Sequence, residues 1–314
     1  MRKRGLVGWL VCLSVVLCLG SALAGATDGQ EEETLRVMTS FYPMYLLTVN
    51  VTQGVEAVAV RNMAAPEVGC LHDYQLLPAD LRALEEADAL VVNGAGMEAF
   101  LEKVIAQRPS LPVIEAAHGI PLLDEAHGDE DAHDHDHNHD HEHEQGNPHV
   151  WLDPRNAAAQ VRTIAARLVE IDPMHAEAYT ANAQAYAQTL EALYARMQAA
   201  LAQVPNRRII TFHEAFPYFA EAFDLQIVGV IQREPGSEPG TRELAEVVDL
   251  VRAQDGVVLF VEPQYSARAA DIIARETGVR VFVLDPVVTG PLQAGAYVDA
   301  MEQNLAVLLE ALGE

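Results

Sequence analysis

The chain has 314 residues, half of them hydrophobic, which is enough for one large domain or two ordinary ones with a substantial core. Its 46 acidic residues against 20 basic ones give a formal charge of −26. That balance excludes nucleic acid and anionic lipid headgroups as partners and favours cations.

The first 26 residues, MRKRGLVGWLVCLSVVLCLGSALAGA, have the three parts of a secretory signal. Arg2, Lys3 and Arg4 form the basic end, Leu6 to Leu19 the apolar run, and Ala22-Leu23-Ala24 the small-residue cleavage site. The alternative is an uncleaved anchor, but the run is short of the roughly 20 apolar residues a spanning helix needs. Neither Cys12 nor Cys18 follows the small residue that a lipid-attachment site prefers. Removing residues 1–24 takes the charge from −26 to −29 and leaves Cys70 as the one cysteine. No internal disulfide is then possible. The expected location is the periplasm, outside the cytoplasm.

Residues 25–33 read as a disordered lead-in. From there, strands and helices alternate. LRVMT, EAVAVRN, ALVVNG and LPVIEA read as strands; FYPMYLLTVNVTQG, LPADLRALEEA and GMEAFLEKVIAQ read as a turn with a helix and two further helices. This alternation predicts a parallel sheet covered on both faces. The tract 125–146 has no apolar periodicity and is expected to be disordered without metal.

Asp153-Pro154 is an N-cap followed by proline at the first helical position, and Asp172-Pro173 repeats that signal. Between Met174 and Val204 there is no glycine or proline. Tyr179, Ala183, Tyr186, Leu190, Leu193, Met197 and Leu201 fall on one stripe at steps of three and four. The spacing predicts a helix of some 30 residues, roughly 45 Å long, connecting two lobes and limiting their hinge motion. The same stripe also fits a coiled-coil dimer. RRIITF, QIVGVI, GVVLFV and VRVFVL then repeat the strand pattern, with helices over YFAEAF, TRELAEVVDLVRAQ, ARAADIIARET and AYVDAMEQNLAVLLEAL. The fold class is therefore α/β, with two mainly parallel-sheet lobes, 34–172 and 205–314, joined by a connecting helix over 173–204.

Ligands of parallel α/β sheets bind beyond the carboxyl ends of the strands. Three of the strands in the second half end at His213, Glu262 and Asp285, while His72 and His149 lie in loops just before helices of the first half. If the lobes face each other, two histidines meet a histidine and a carboxylate. Three imidazoles and a carboxylate suit Zn²⁺ in tetrahedral geometry better than Mn²⁺.

Several motifs resemble those of the zinc and manganese ABC-transporter solute-binding proteins, the ZnuA-like family. They are SFYPMY, HDYQLLPADL, NGAGMEAFLEK, NPHVWLDPRNA, TFHEAFPYFAEAF, FVEPQYSARAADIIARETG and VFVLDP, in order over the whole chain after the signal. The resemblance implies one metal ion in the cleft between two lobes and a membrane permease as partner. It carries the ligand positions onto His72, His149, His213 and Asp285. His213 favours zinc, since manganese-type relatives tend to carry a carboxylate there. An adhesin or a manganese receptor of the same fold is the alternative function. No nucleic acid and no small organic ligand are expected, and the chain is expected to be a monomer.

Three features depart from that pattern or add to it. Leu71 stands where relatives often have proline or an acid, so no acidic ligand adjoins His72, and Cys70 two residues away either ligates as thiolate or packs as a small hydrophobe. Glu262 is expected to hydrogen-bond behind the ligands. The other seven histidines of the segment 127–149 (His127, His133, His135, His137, His139, His141 and His143) alternate with Asp, Glu and Asn. They are expected to gather zinc weakly near the cleft mouth, because a floppy tract loses chain entropy on closing around an ion. His149 differs, since Val150-Trp151-Leu152 can anchor its loop. His118 and His175 read as surface residues. A zinc hydrolase is disfavoured: His213-Glu214 is followed by Ala-Phe-Pro, not by the second histidine of a His-Glu-x-x-His helix.

Overall fold

The computed structural model describes residues 34–71, 74–124, 146–232, 240–254, 256–264 and 267–313. The signal, the lead-in, His72 and the seven tract histidines lie outside the described residues. The first sheet is built from β1 (Leu35–Thr39), β2 (Val58–Asn62), β3 (Ala89–Val92) and β4 (Val113–Glu115), in the order β2-β1-β3-β4. The second comprises β5 (Arg208–His213), β6 (Gln226–Gln232), β7 (Val258–Val261) and β8 (Arg280–Val283), in the order β6-β5-β7-β8. All these pairings are parallel. The same topology thus occurs twice, as the repeated sequence pattern predicts.

Alternation along each strand explains the layering. Val37, Val91, Ile209, Val258 and Phe260 face a central core, while their neighbours Met38, Leu90, Val92, Ile210 and Leu259 face outward onto other helices. In the first lobe the outer layer is α2 (Pro78–Glu86) and α3 (Glu102–Ala106); in the second it is α7 (Thr241–Arg252) and α8 (Ala267–Thr277). The central core is shared by α1 (Tyr42–Val51), α4 (Pro154–Ile171), α5 (Ala176–Leu201), α6 (Pro217–Phe223) and α9 (Ala296–Leu312). Residues 34–314 form one compact unit. No helix among the described residues is long and apolar enough to cross a membrane.

The long helix is shorter than its sequence signal. Asp172-Pro173 opens a 3-10 turn, Pro173–His175, and α5 runs 26 residues from Ala176, roughly 39 Å. All seven residues of the apolar stripe are buried within this chain. They pack against α1, α4, α6 and α9, so the stripe that also fits a coiled coil is consumed internally. Asp153 caps α4 as expected, accepting the Arg155 backbone N–H at 2.8 Å. The expected third helix begins late, as a 3-10 turn, Ala99–Leu101, leading into α3.

Hydrogen bonds tie the two halves together beside the cleft. The Trp151 indole donates to the Pro286 carbonyl at 2.9 Å, and the Tyr297 hydroxyl donates to the Trp151 carbonyl at 2.6 Å. Tyr42 donates to the Pro291 carbonyl at 2.9 Å, and Asn50 to the Ala294 carbonyl at 2.8 Å. Gly290, at φ +143°, lets Tyr42 approach so closely that a Cβ there would lie 2.6 Å from the hydroxyl.

Candidate metal centre

Both sheets reverse strand order between their first and third strands, and the crevice at such a switch point is where parallel α/β folds bind ligands. His213 is the last residue of β5, and Glu262 follows the last residue of β7 next to it. Both are buried. The His213 backbone N–H donates to Glu262 Oε1 at 3.2 Å, and Gln264 Nε2 donates to Oε2 at 2.7 Å. Glu262 therefore holds the strand end that presents His213.

His149 reaches the same place from the other half. Its ring centroid is 5.3 Å from that of His213, edge to face, and 5.2 Å from that of Trp151. Asn147 Oδ1 accepts from the His149 backbone N–H at 3.0 Å and lies 3.1 Å from Nδ1. An acceptor at Nδ1 favours the proton there and the lone pair on Nε2, the nitrogen that lies 3.7 Å from Cys70 Sγ. Asn147 also bridges the halves: its Nδ2 donates to the Glu214 carbonyl at 2.9 Å, and its own carbonyl accepts from Tyr218 at 2.8 Å. Local sequence pattern gives Asn147 no such role, although it stands in the motif NPHVWLDPRNA.

Cys70 is the third member of the cluster. One donor atom each from Cys70, His149 and His213 lie within 4.8 Å of one another, and Cys70 Sγ is 3.7 Å from His149 Nε2. Cys70 is half-buried and packs against the central core, with its sulfur on the side of the two imidazoles. Asp285 lies just beyond the end of β8. Its backbone N–H donates to Asn304 Oδ1 at 2.8 Å, and Asn304 returns a bond to its carbonyl at 2.7 Å. Its Oδ1 accepts from the Val287 N–H at 2.7 Å, while Val287 sits at φ 57°, where a β-branched residue is strained.

The acidic groups of the cluster are desolvated. Burial raises the proton affinity of Cys70, Glu262 and Asp285; Glu262 rises to about 8, helped by the Asp285 charge, and Cys70 rises further beside Glu262. Burial and Asp285 together push Tyr42 to about 12. Desolvated acids with raised pKa values are stabilised as anions by a divalent ion among them, which inverts the local titration. Of the sequence-predicted ligands, His149 and His213 are brought together, Asp285 lies close enough to act on Glu262 and Tyr42, and His72 falls outside the described residues, between Leu71 and Tyr74. His118 is exposed, but His175 is half-buried and paired with Asp172 at 2.7 Å.

The first sheet's switch point carries a second buried acid. Glu98 accepts from Ser40 Oγ at 2.7 Å, the Asn93 N–H at 2.8 Å and the Gly94 N–H at 3.0 Å. Asn93 in turn donates to the Pro148 carbonyl at 2.9 Å, so this acid underpins the loop that carries His149. Burial raises Glu98 from its ordinary 4.5 to about 7 despite the three donors. A carboxyl group whose folded pKa is raised contributes stability that is complete below the unfolded pKa and is lost as pH climbs through the folded one. Apo-protein stability is thus expected to fall between pH 4.5 and 7, with roughly 3 kcal/mol assigned to Glu98. Urea unfolding across that range checks this. The Glu98→Gln variant should lose that part of the slope, and an unchanged slope would refute the assignment.

Known proteins share this architecture. The family model for ZnuA, the periplasmic component A of the zinc-uptake complex, matches residues 37–311. The chain is 32% identical to the high-affinity zinc uptake system protein ZnuA of Bacillus subtilis over 308 residues, 96% of this chain and 94% of that one. Among solved structures, the FpvC solute-binding protein of Pseudomonas aeruginosa in complex with Mn²⁺ superposes with a TM-score of 0.76 at 31% identity, over 89% of this chain and 98% of that one. A zinc-bound ZnuA deletion mutant superposes with a TM-score of 0.73 at 28% identity, over 90% and 99%.

Proposed function

The chain belongs to the ZnuA family of zinc-uptake components, and from that premise we propose that it captures Zn²⁺ outside the cytoplasm and delivers it to an ABC permease. The observation that carries this reading is the convergence of His149 and His213, one from each half, at the carboxyl ends of the strands. The proposed ligands are His72, His149, His213 and Asp285, with Glu262 holding His213 in place. Imidazole donors suit zinc over manganese. The protein is proposed to be a non-catalytic monomer. Four protein ligands would close the coordination that a hydrolytic zinc keeps open for water.

The histidine-rich tract is assigned a gathering role, holding several zinc ions weakly near the cleft mouth. A zinc titration of the full-length protein against a deletion of 125–146 tests the division of labour. One tight site is expected to survive the deletion while the weak sites vanish. Loss of the tight site with the tract would overturn the reading.

A further inference from the structure

We infer that Cys70 is itself a metal ligand, its sulfur sharing one ion with His149 and His213 and tuning the receptor toward thiophilic divalent cations. The inference rests on the metal-receptor reading above and deepens it. Sulfur and nitrogen donors on one tetrahedral zinc, at about 2.3 and 2.05 Å, lie about 3.5 Å apart. The observed separation of Cys70 Sγ and His149 Nε2 is 3.7 Å, so this pair already stands close to the spacing that a shared ion requires. His213 completes a mutually close trio, so Cys70 takes one of the four positions assigned above and only one of His72 and Asp285 then remains in the coordination shell.

The loop is shaped to present this side chain. Gly69 turns the backbone at φ +83°, a conformation that disfavours any residue with a Cβ, and its α-carbon faces Gln264 of the opposite half. Leu71 on the other side is fully buried and pins the loop to the core. Between them Cys70 faces an imidazole nitrogen, which is polar company for a residue whose bland role would be apolar packing. On binding, the S–H proton leaves to solvent and a sulfur–metal bond forms in its place, with no change of oxidation state. A coordinated thiol is deprotonated by the ion. Thiolate favours zinc strongly over manganese, which prefers oxygen donors.

The test uses Co²⁺ as a spectroscopic probe in the chain lacking residues 1–24, where Cys70 is the one sulfhydryl and the histidine-rich tract carries no sulfur. The first equivalent of Co²⁺ is expected to give a near-ultraviolet sulfur-to-cobalt charge-transfer band that Cys70→Ser abolishes. In competition titrations the same variant should bind Zn²⁺ at least about tenfold more weakly and Mn²⁺ unchanged. A wild-type Co²⁺ complex without the band overturns the inference, and needs no variant to fold. So does a Cys70→Ser protein with wild-type zinc affinity. If the wild-type chain binds Zn²⁺ tightly and His213→Ala loses it while Cys70→Ser does not, the receptor reading stands and only the thiolate falls. If the wild-type chain binds no Zn²⁺ tightly, both fall.

Discussion

Replacing His213 with alanine is expected to weaken tight zinc binding by more than about 100-fold, since loss of even an outer-shell partner of a metal ligand typically costs between ten- and a hundredfold. The physical case is the rigidity of the site. His213 ends a central strand, its backbone N–H is held by Glu262, and its ring lies against that of His149 in a buried wall. Truncation leaves a gap that neighbouring side chains cannot close, and water replaces an imidazole poorly as a donor to zinc. Competition against a chromophoric chelator, in the background of the 125–146 deletion, isolates the tight site from the tract. Thermal unfolding of the apo variant checks that the fold survives. A tight site of undiminished affinity in this variant would remove His213 from the ligand set and with it the main support for the function.

Trp151→Ala is expected to be the most damaging single change to stability, at about 3–5 kcal/mol from the lost ring alone. Trp151 is fully buried and meets Phe41 edge to face at 5.2 Å. Its indole bond to the Pro286 carbonyl crosses from one half of the chain to the other, and the unpaired carbonyl left behind adds a further desolvation cost of about 1–3 kcal/mol. Trp151→Phe should fall between, keeping most of the packing and losing that bond. Urea midpoints for the three proteins measure the series. A Trp151→Ala unfolding free energy within about 1 kcal/mol of wild type would show that the contact across the halves contributes little. Because the ring also lies 5.2 Å from His149, the alanine variant should bind zinc more weakly as well.

Most of the secondary structure is legible in the sequence because its causes are local. The eight strands among the described residues are short apolar runs, several rich in Val, Ile or Phe, between turn residues, and all eight occur where that pattern places them. The seven-residue stripe of α5 is buried as its spacing requires. The third helix starts later than its pattern predicts, for a reason that lies outside local pattern. Gly94, Ala95 and Gly96 all take positive φ, and the Glu98 carboxylate gathers the Asn93 and Gly94 N–H groups, so the loop coils around a buried acid before helix can begin. Propensity over GMEAFLEKVIAQ contains no sign of that contact.

By itself the sequence determined the period of each element, the capped start of α4, the repeated α/β pattern and the strand ends on which His213, Glu262 and Asp285 stand, because all of these depend on residues near one another in the chain. Only the tertiary structure decided that Cys70, 79 positions before His149, would come within 3.7 Å of it, that Asn147 would orient that imidazole, and that α5 would spend its apolar face inside one molecule. The reason is that the donor–donor distances are set by how two sheets pack across a shared core, and packing is a property of the whole chain that no local window contains.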